Sequence, residues 1–129
     1  MAEMRWSEDE IYLLANRGYA FYRQGRYQEA GVIFEALTTL QPLNWYCRTA
    51  LSAVCMLVGE PQRAVKELSF VLSHNPADYD ARARRCEAYC DSRNWSEARQ
   101  DLAILERNGA RQHVERLTWR LRAAGVSTS

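Results

Sequence analysis

Residues 25–37 read Gly25-Arg26-Tyr27-Gln28-Glu29-Ala30-Gly31-Val32-Ile33-Phe34-Glu35-Ala36-Leu37, and their reading decides the fold. Gln24-Gly25-Arg26 has the composition of a turn, after which Ala30, Phe34 and Leu37 recur at helical spacing along one face. Thirty-four residues further on stand Ala64, Leu68 and Val71, and after another 34 stand Ala98, Leu102 and Leu105. The register extends upstream through Phe21, Cys55 and Tyr89, and through Gly25, Gly59 and Arg93. Pro42 and Pro76 recur as well, each followed by an aromatic residue, Trp45 and Tyr79. An ungapped period of this length marks stacked supersecondary units that share one continuous core.

Within each unit the order is a small residue at the eighth position, an aromatic at the eleventh, Ala at the twentieth, a large apolar residue at the twenty-fourth and Pro at the thirty-second. Gly18, Phe21, Ala30, Phe34 and Pro42 fill it in the first unit, while Ser52 and Cys86 replace the glycine in the next two. This pattern resembles the tetratricopeptide repeat. The third unit has Ala110 in place of the closing proline, and Asn108-Gly109 supplies its helix stop. The resemblance implies an all-α fold: three tandem helical hairpins over about residues 11–42, 45–76 and 79–110, with a capping helix at 111–124. Stacked, they form a right-handed α-solenoid, here a single domain over 1–129.

Helix signals agree. Ser7 and Glu10 form a capping box before a run through Ile11, Leu14, Gly18 and Phe21. The later helices are expected at 27–40, 44–58, 61–74, 78–91 and 95–107, the last capped by Asn94 or Ser96. At 111–123, Val114, Leu117 and Leu121 keep helical spacing, continued by Ala124. Ser127, Thr128 and Ser129 are expected to fray.

Composition narrows the function. With 17 Lys+Arg against 16 Asp+Glu the chain lacks the basic surplus that phosphate neutralisation requires, which argues against nucleic acid. No apolar run approaches the ~20 residues of a membrane span. Met1 to Glu10 is polar and acidic, unlike a signal peptide, so the expected location is the cytosol. Lys66 is the only lysine, an arginine bias that suits a GC-rich bacterial genome.

Catalytic and metal chemistry find little support. Cys47, Cys55, Cys86 and Cys90 form no CxxC pair and read as small buried hydrophobes. Cys86 and Cys90 are spaced to offer two metal ligands on one helix, but the eighth position demands a small packed side chain. His74 reads as a loop or C-capping residue, and so does His113; neither has an evident partner. No glycine-rich phosphate loop or HExxH motif is present. We therefore expect a non-enzyme with no cofactor and no metal. Arg82, Arg84 and Arg85, flanked by Asp78, Asp80 and Glu87, read as solvated ion pairs; so do Arg116, Arg120 and Arg122 after Glu106 and Glu115.

In tetratricopeptide arrays the second, fifth, ninth, twelfth and thirteenth positions face the ligand. The resemblance places Tyr12, Ala15, Tyr19, Tyr22 and Arg23 there in the first unit; Tyr46, Thr49, Ala53, Met56 and Leu57 in the second; and Asp80, Ala83, Glu87, Cys90 and Asp91 in the third. The expected partner contacts are Tyr12, Tyr19, Tyr22, Tyr46, Thr49, Ala53, Met56, Leu57, Ala83, Glu87 and Cys90. Tyrosine and methionine suit an extended apolar peptide. The Lys, Asn and Arg clamp of repeats that grip the acidic tails of heat-shock proteins is missing, since Ala15, Tyr19 and Asp80 stand at its places.

The turn G-x-Y-x-E-A, here Gly25 to Ala30, followed by I-F-x-x-L, here Ile33 to Leu37, is similar to the class II chaperones of bacterial type III secretion over about residues 12–107. That likeness implies a cytosolic chaperone that keeps an aggregation-prone translocator or needle subunit soluble and unassembled before export. It also implies a small co-chaperone or a second copy of the chain as further partner, with Met4, Trp6 or Trp119 as contacts. The alternative is a general repeat adaptor joining stable proteins.

Overall fold

The computed structural model describes residues 5–128, which form seven α-helices and no strand. They are α1 (Glu8–Arg23), α2 (Tyr27–Leu40), α3 (Trp45–Leu57), α4 (Pro61–His74), α5 (Tyr79–Asp91), α6 (Trp95–Arg107) and α7 (Arg111–Ala123). The chain divides into two compact units between Gly59 and Glu60. Met4 and Ser129 lie outside the described residues.

In the first unit Ser7 caps α1. Its hydroxyl accepts the Glu10 N–H at 3.1 Å, and the Glu10 carboxylate accepts the Ser7 N–H at 3.0 Å. These bonds, the backbone one first, hold the Glu10 carboxyl below its ordinary range. α1 packs on α2, and α2 on α3. The crossing of α1 and α2 is tight at Gly18, where an added Cβ would lie 3.0 Å from Ile33 Cγ2 and 3.1 Å from the Phe34 ring. Ala30, Phe34 and Leu37 are buried behind it, as the repeat register predicts. α3 starts at Asn44, whose side chain accepts the Cys47 N–H at 3.3 Å, and it buries Leu51, Ser52, Val54 and Cys55.

In the second unit Pro61 opens α4, where its missing N–H has no intrahelical partner to lose. α4 packs on α5, α5 on α6, and both α5 and α6 on α7. Asp78 caps α5 by accepting the Ala81 N–H at 3.0 Å. Cys86, the third repeat's small residue, is fully buried, with Sγ 3.3 Å from the Ala98 carbonyl. Leu117 and Leu121 of α7 complete a core with Ala83, Cys86, Cys90, Ala98, Leu102 and Leu105.

Two expectations are corrected here. Arg82 and Arg85 are not solvated pairs with their sequence neighbours. Both reach Asp101 on α6, itself 1% exposed: Arg82 Nη1 donates at 3.2 Å, Arg85 Nε at 2.9 Å and Arg85 Nη2 at 2.7 Å. Arg85 Nη1 also donates to Ser69 Oγ at 3.2 Å, and Arg82 Nη2 to the Pro76 carbonyl at 3.1 Å. The hydrogen bond to Asp101 raises the Arg85 guanidinium above its usual range. Asn94 occupies the cap position of α6, yet its side chain makes no capping bond. The turn is closed by backbone instead, with the Asn94 N–H donating to the Tyr89 carbonyl at 2.8 Å. Arg93 before it has φ 59°, the same left-handed conformation as Gly25 (75°) and Gly59 (79°) at the equivalent positions.

Candidate functional site

α1 carries Tyr12, Tyr19 and Arg23 at spacings of seven and four, which places them on one stripe of the helix. The Tyr19 ring meets Phe34 edge-on, with centroids 5.0 Å apart, so the buried core anchors its inner side. Burial raises the Tyr19 phenol above its ordinary range, and the nearby Cys47 and Tyr46 of α3 add to the shift. Tyr19 thus lies on the side of α1 that is near the start of α3. Tyr22 stacks edge-on with Tyr27, centroids 5.7 Å apart. Tyr12 is 67% exposed and Tyr46 83%. Further along α3, Thr49, Ala53 and Met56 are half-buried and Leu57 is exposed. The sequence-predicted contacts of the first unit therefore reach solvent in whole or in part.

Two apolar side chains beside this face are not at ligand-facing repeat positions, and the sequence reading passed over them. Leu13 adjoins Tyr12, and Leu43 belongs to a shallow hollow lined by Gln41 to Tyr46. Their signal was a leucine off the buried register. Burial pushes the Cys47 thiol up, which keeps it protonated at neutral pH. The face holds ring surface, hydroxyls and methylenes.

The second unit treats the same repeat positions differently. Ala83 and Cys90, expected as partner contacts, are core residues, because α7 lies over α5 and covers them with Leu117 and Leu121. Glu87 pairs with Arg116 of α7, Asp91 pairs with Arg120, and Asp80 Oδ1 lies 2.7 Å from Nε2 of His113. His113 thus has a cross-helix partner that the sequence did not indicate, and Arg116 and Arg120 pair with α5 in place of Glu106 and Glu115. The contact with Cys90 and burial hold the Cys86 thiol well above its usual range. Among the described residues no three His, Cys, Asp or Glu side chains are gathered as a metal ion would need. Trp6 and Trp119 are both exposed, Trp119 at 68%.

Helical hairpins repeating at 34 residues, with small residues at the crossings, define a tetratricopeptide-like solenoid. Known structures of this fold include PcrH from Pseudomonas aeruginosa, which superposes with a TM-score of 0.81 at 20% identity, covering 98% of this chain and all of that one. The Yersinia enterocolitica type III secretion translocator chaperone SycD superposes with a TM-score of 0.76 at 19% identity, covering 91% of each chain. The first repeat domain of Spaghetti bound to an HSP90 peptide gives 0.75 at 18% identity, covering 93% of this chain and 99% of that one. PcrH is also known in complex with the chaperone binding regions of PopB and PopD, and SycD with a peptide of the translocator YopD. At these identities the likeness establishes the fold. No protein-family model and no curated protein sequence matches the chain, and among the described residues no helix is long and apolar enough to cross a membrane.

Proposed function

We propose that the protein is a cytosolic bacterial chaperone that binds an apolar segment of an aggregation-prone type III secretion substrate, a translocator or needle subunit, and keeps it soluble before export. The observation that carries the reading is the open aromatic face of the first unit, with Tyr12, Tyr19, Tyr22 and Tyr46 beside Met56 and Leu57. Large apolar side chains grouped on a surface are typical of a binding site, and tyrosine offers contact area at low entropic cost. The fold shared with PcrH and SycD supports the same reading, since PcrH is known with the chaperone binding regions of PopB and PopD bound and SycD with a peptide of the translocator YopD. The likeness to Spaghetti does not extend to its acidic peptide ligand, because Ala15 and Tyr19 stand where a carboxylate clamp would need Lys or Asn.

The test is affinity capture of the whole chain from its native host, with partners identified by mass spectrometry. The expected partner is one small secreted protein that is insoluble when expressed alone and soluble when co-expressed. Tyr19→Glu combined with Met56→Glu is expected to abolish that rescue while circular dichroism stays helical. Recovery of a stable folded assembly, indifferent to those substitutions, would establish the adaptor reading instead.

A further inference from the structure

We infer that the segment held by the open face of α1 and α3 carries a carboxylate beside its apolar part, and that Arg23 is the side chain that receives it. The inference rests on the function just proposed and specifies the chemistry of its partner. Arg23 continues the stripe of Tyr12 and Tyr19 by one more turn. Among the ligand-facing repeat positions on these two helices it alone is charged, the others being Tyr, Ala, Thr, Met and Leu.

The remaining arginines from α1 to α3 are engaged. Arg17 lies over the Phe21 ring, 5.7 Å from its centroid. Arg26 lies over the same ring at 4.6 Å and pairs with Glu29. Arg48 Nε donates to the Pro42 carbonyl at 2.8 Å. Arg23 is exposed, and it makes no hydrogen bond, ion pair or ring contact with any described residue. Its place in the last turn of α1, near the negative end of the helix dipole, favours the cation while leaving its fork of donors available.

The stripe also has a direction. The first turn of α1 carries Glu8 and Asp9 along with the capped Glu10, so the helix presents negative charge at its start and positive charge at its end. A segment lying along it with an acid at the Arg23 end gains a charge pair, and the reversed segment loses that pair and sets its acid against Glu8 and Asp9. A guanidinium is suited to this because it can hold a carboxylate with two parallel hydrogen bonds.

The test is selection of phage-displayed random peptides on the full chain, carried out in parallel on the wild type, Arg23→Glu and Arg23→Lys. The wild type is expected to enrich apolar runs flanked on one side by Asp or Glu, Arg23→Lys to keep that flank, and Arg23→Glu to exchange it for Lys or Arg. For a synthetic peptide taken from the wild-type pool, Arg23→Glu should weaken affinity about tenfold at low salt. Replacing the peptide's acid with lysine should recover it, and the gap should shrink at about 0.5 M salt as screening sets in. Identical flanks from wild type and Arg23→Glu would overturn the inference while leaving apolar binding in place. Failure of all three proteins to enrich apolar peptides would overturn the proposed function and this inference together. Thermal melts check that the variants fold, and if Arg23→Glu does not, Arg23→Gln must lose the acidic preference without gaining a basic one.

Discussion

Among the described residues of the first unit, nine large apolar side chains stand exposed, whereas in the second only Trp119 does. Both units use the same repeat, so the contrast lies in what stands off its core register. Tyr12, Tyr19 and Arg23 recur 68 residues later as Asp80, Glu87 and Asp91, and each of those acids is tied to α7 through His113, Arg116 or Arg120. Tyr22 recurs as Cys90, which α7 buries. The core positions thus set the hairpin, and the remaining ones determine whether a helix face is left open or sealed by the next helix. In the function proposed, the second unit is the scaffold and the first the binding surface.

The largest effect expected from this contrast is in the scaffold. Asp101→Ala leaves the buried Arg82 and the half-buried Arg85 without their shared carboxylate, and breaking a buried ion cluster from one side costs about 3–5 kcal/mol. Chemical denaturation should show a markedly lower midpoint, and hydrogen exchange should locate the loosening in α5 and α6. Replacing all three residues with leucine should restore most of the loss, because the desolvation penalty of the ions is removed along with their attraction. A single variant as stable as the wild type would remove the cluster from any account of why the second unit is closed.

Next in size is the tight crossing in the first unit. Gly18→Val adds atoms where even a Cβ would sit 3.0 Å from Ile33, so overpacking of about 1–3 kcal/mol is expected. Loss of peptide binding in proportion to that destabilisation would show that the open face depends on the hairpin beneath it. Full binding by a destabilised variant would show that the face is carried by α1 and α3 without a precise crossing.

Gly18 also shows how much of the fold was legible. Gly18, Ser52 and Cys86 were identified by repeat register as small residues at close crossings, and all three are buried. Ala30, Ala64 and Ala98 were identified in the same way and are fully buried. Helix ends came from turn residues and agree to within about one position, since Gly and Pro act on the backbone locally. Asp101 was not legible, because its partners lie 16 and 19 residues away and nothing local distinguishes a buried acid from a solvated one. The site was legible in the same uneven way. Position rules nominated Tyr12 and Tyr46, which are exposed, together with Ala83 and Cys90, which are buried, since a repeat rule describes the face of a helix and not whether the following helix covers it.

A smaller effect tests the start of α1. Ser7→Ala removes the capping hydroxyl and should cost about 1 kcal/mol. Glu10 adds a pH dependence of known sign. Its folded-state pKa is lowered, so its stabilisation is present above the ordinary carboxylate range and is lost as pH falls through the folded value. Melts of wild type and Glu10→Gln should therefore differ at pH 7 and converge as pH falls through the folded-state value. A gap that stays constant with pH would mean that the charge of Glu10 is irrelevant to the cap.

The smallest effect should be a gain, and it falls in the second unit. The turns inside the first two repeats place Gly25 and Gly59 at left-handed φ, but the third asks the same of Arg93 at φ 59°. A side chain in that region costs about 1–2 kcal/mol. Arg93→Gly relieves it and returns part of the gain through the greater freedom of glycine in the unfolded chain. The net expectation is about 0.5–1 kcal/mol of stabilisation, seen as a melting temperature higher by about 2–4 °C. Gly25→Ala, the reverse change in the first unit, should lower it by a similar amount, since the added Cβ meets no neighbour there and only the backbone strain acts. If Arg93→Gly is neutral or destabilising while Gly25→Ala behaves as expected, the Arg93 side chain makes a stabilising contact of its own. The third turn would then differ from the first two in more than its missing glycine.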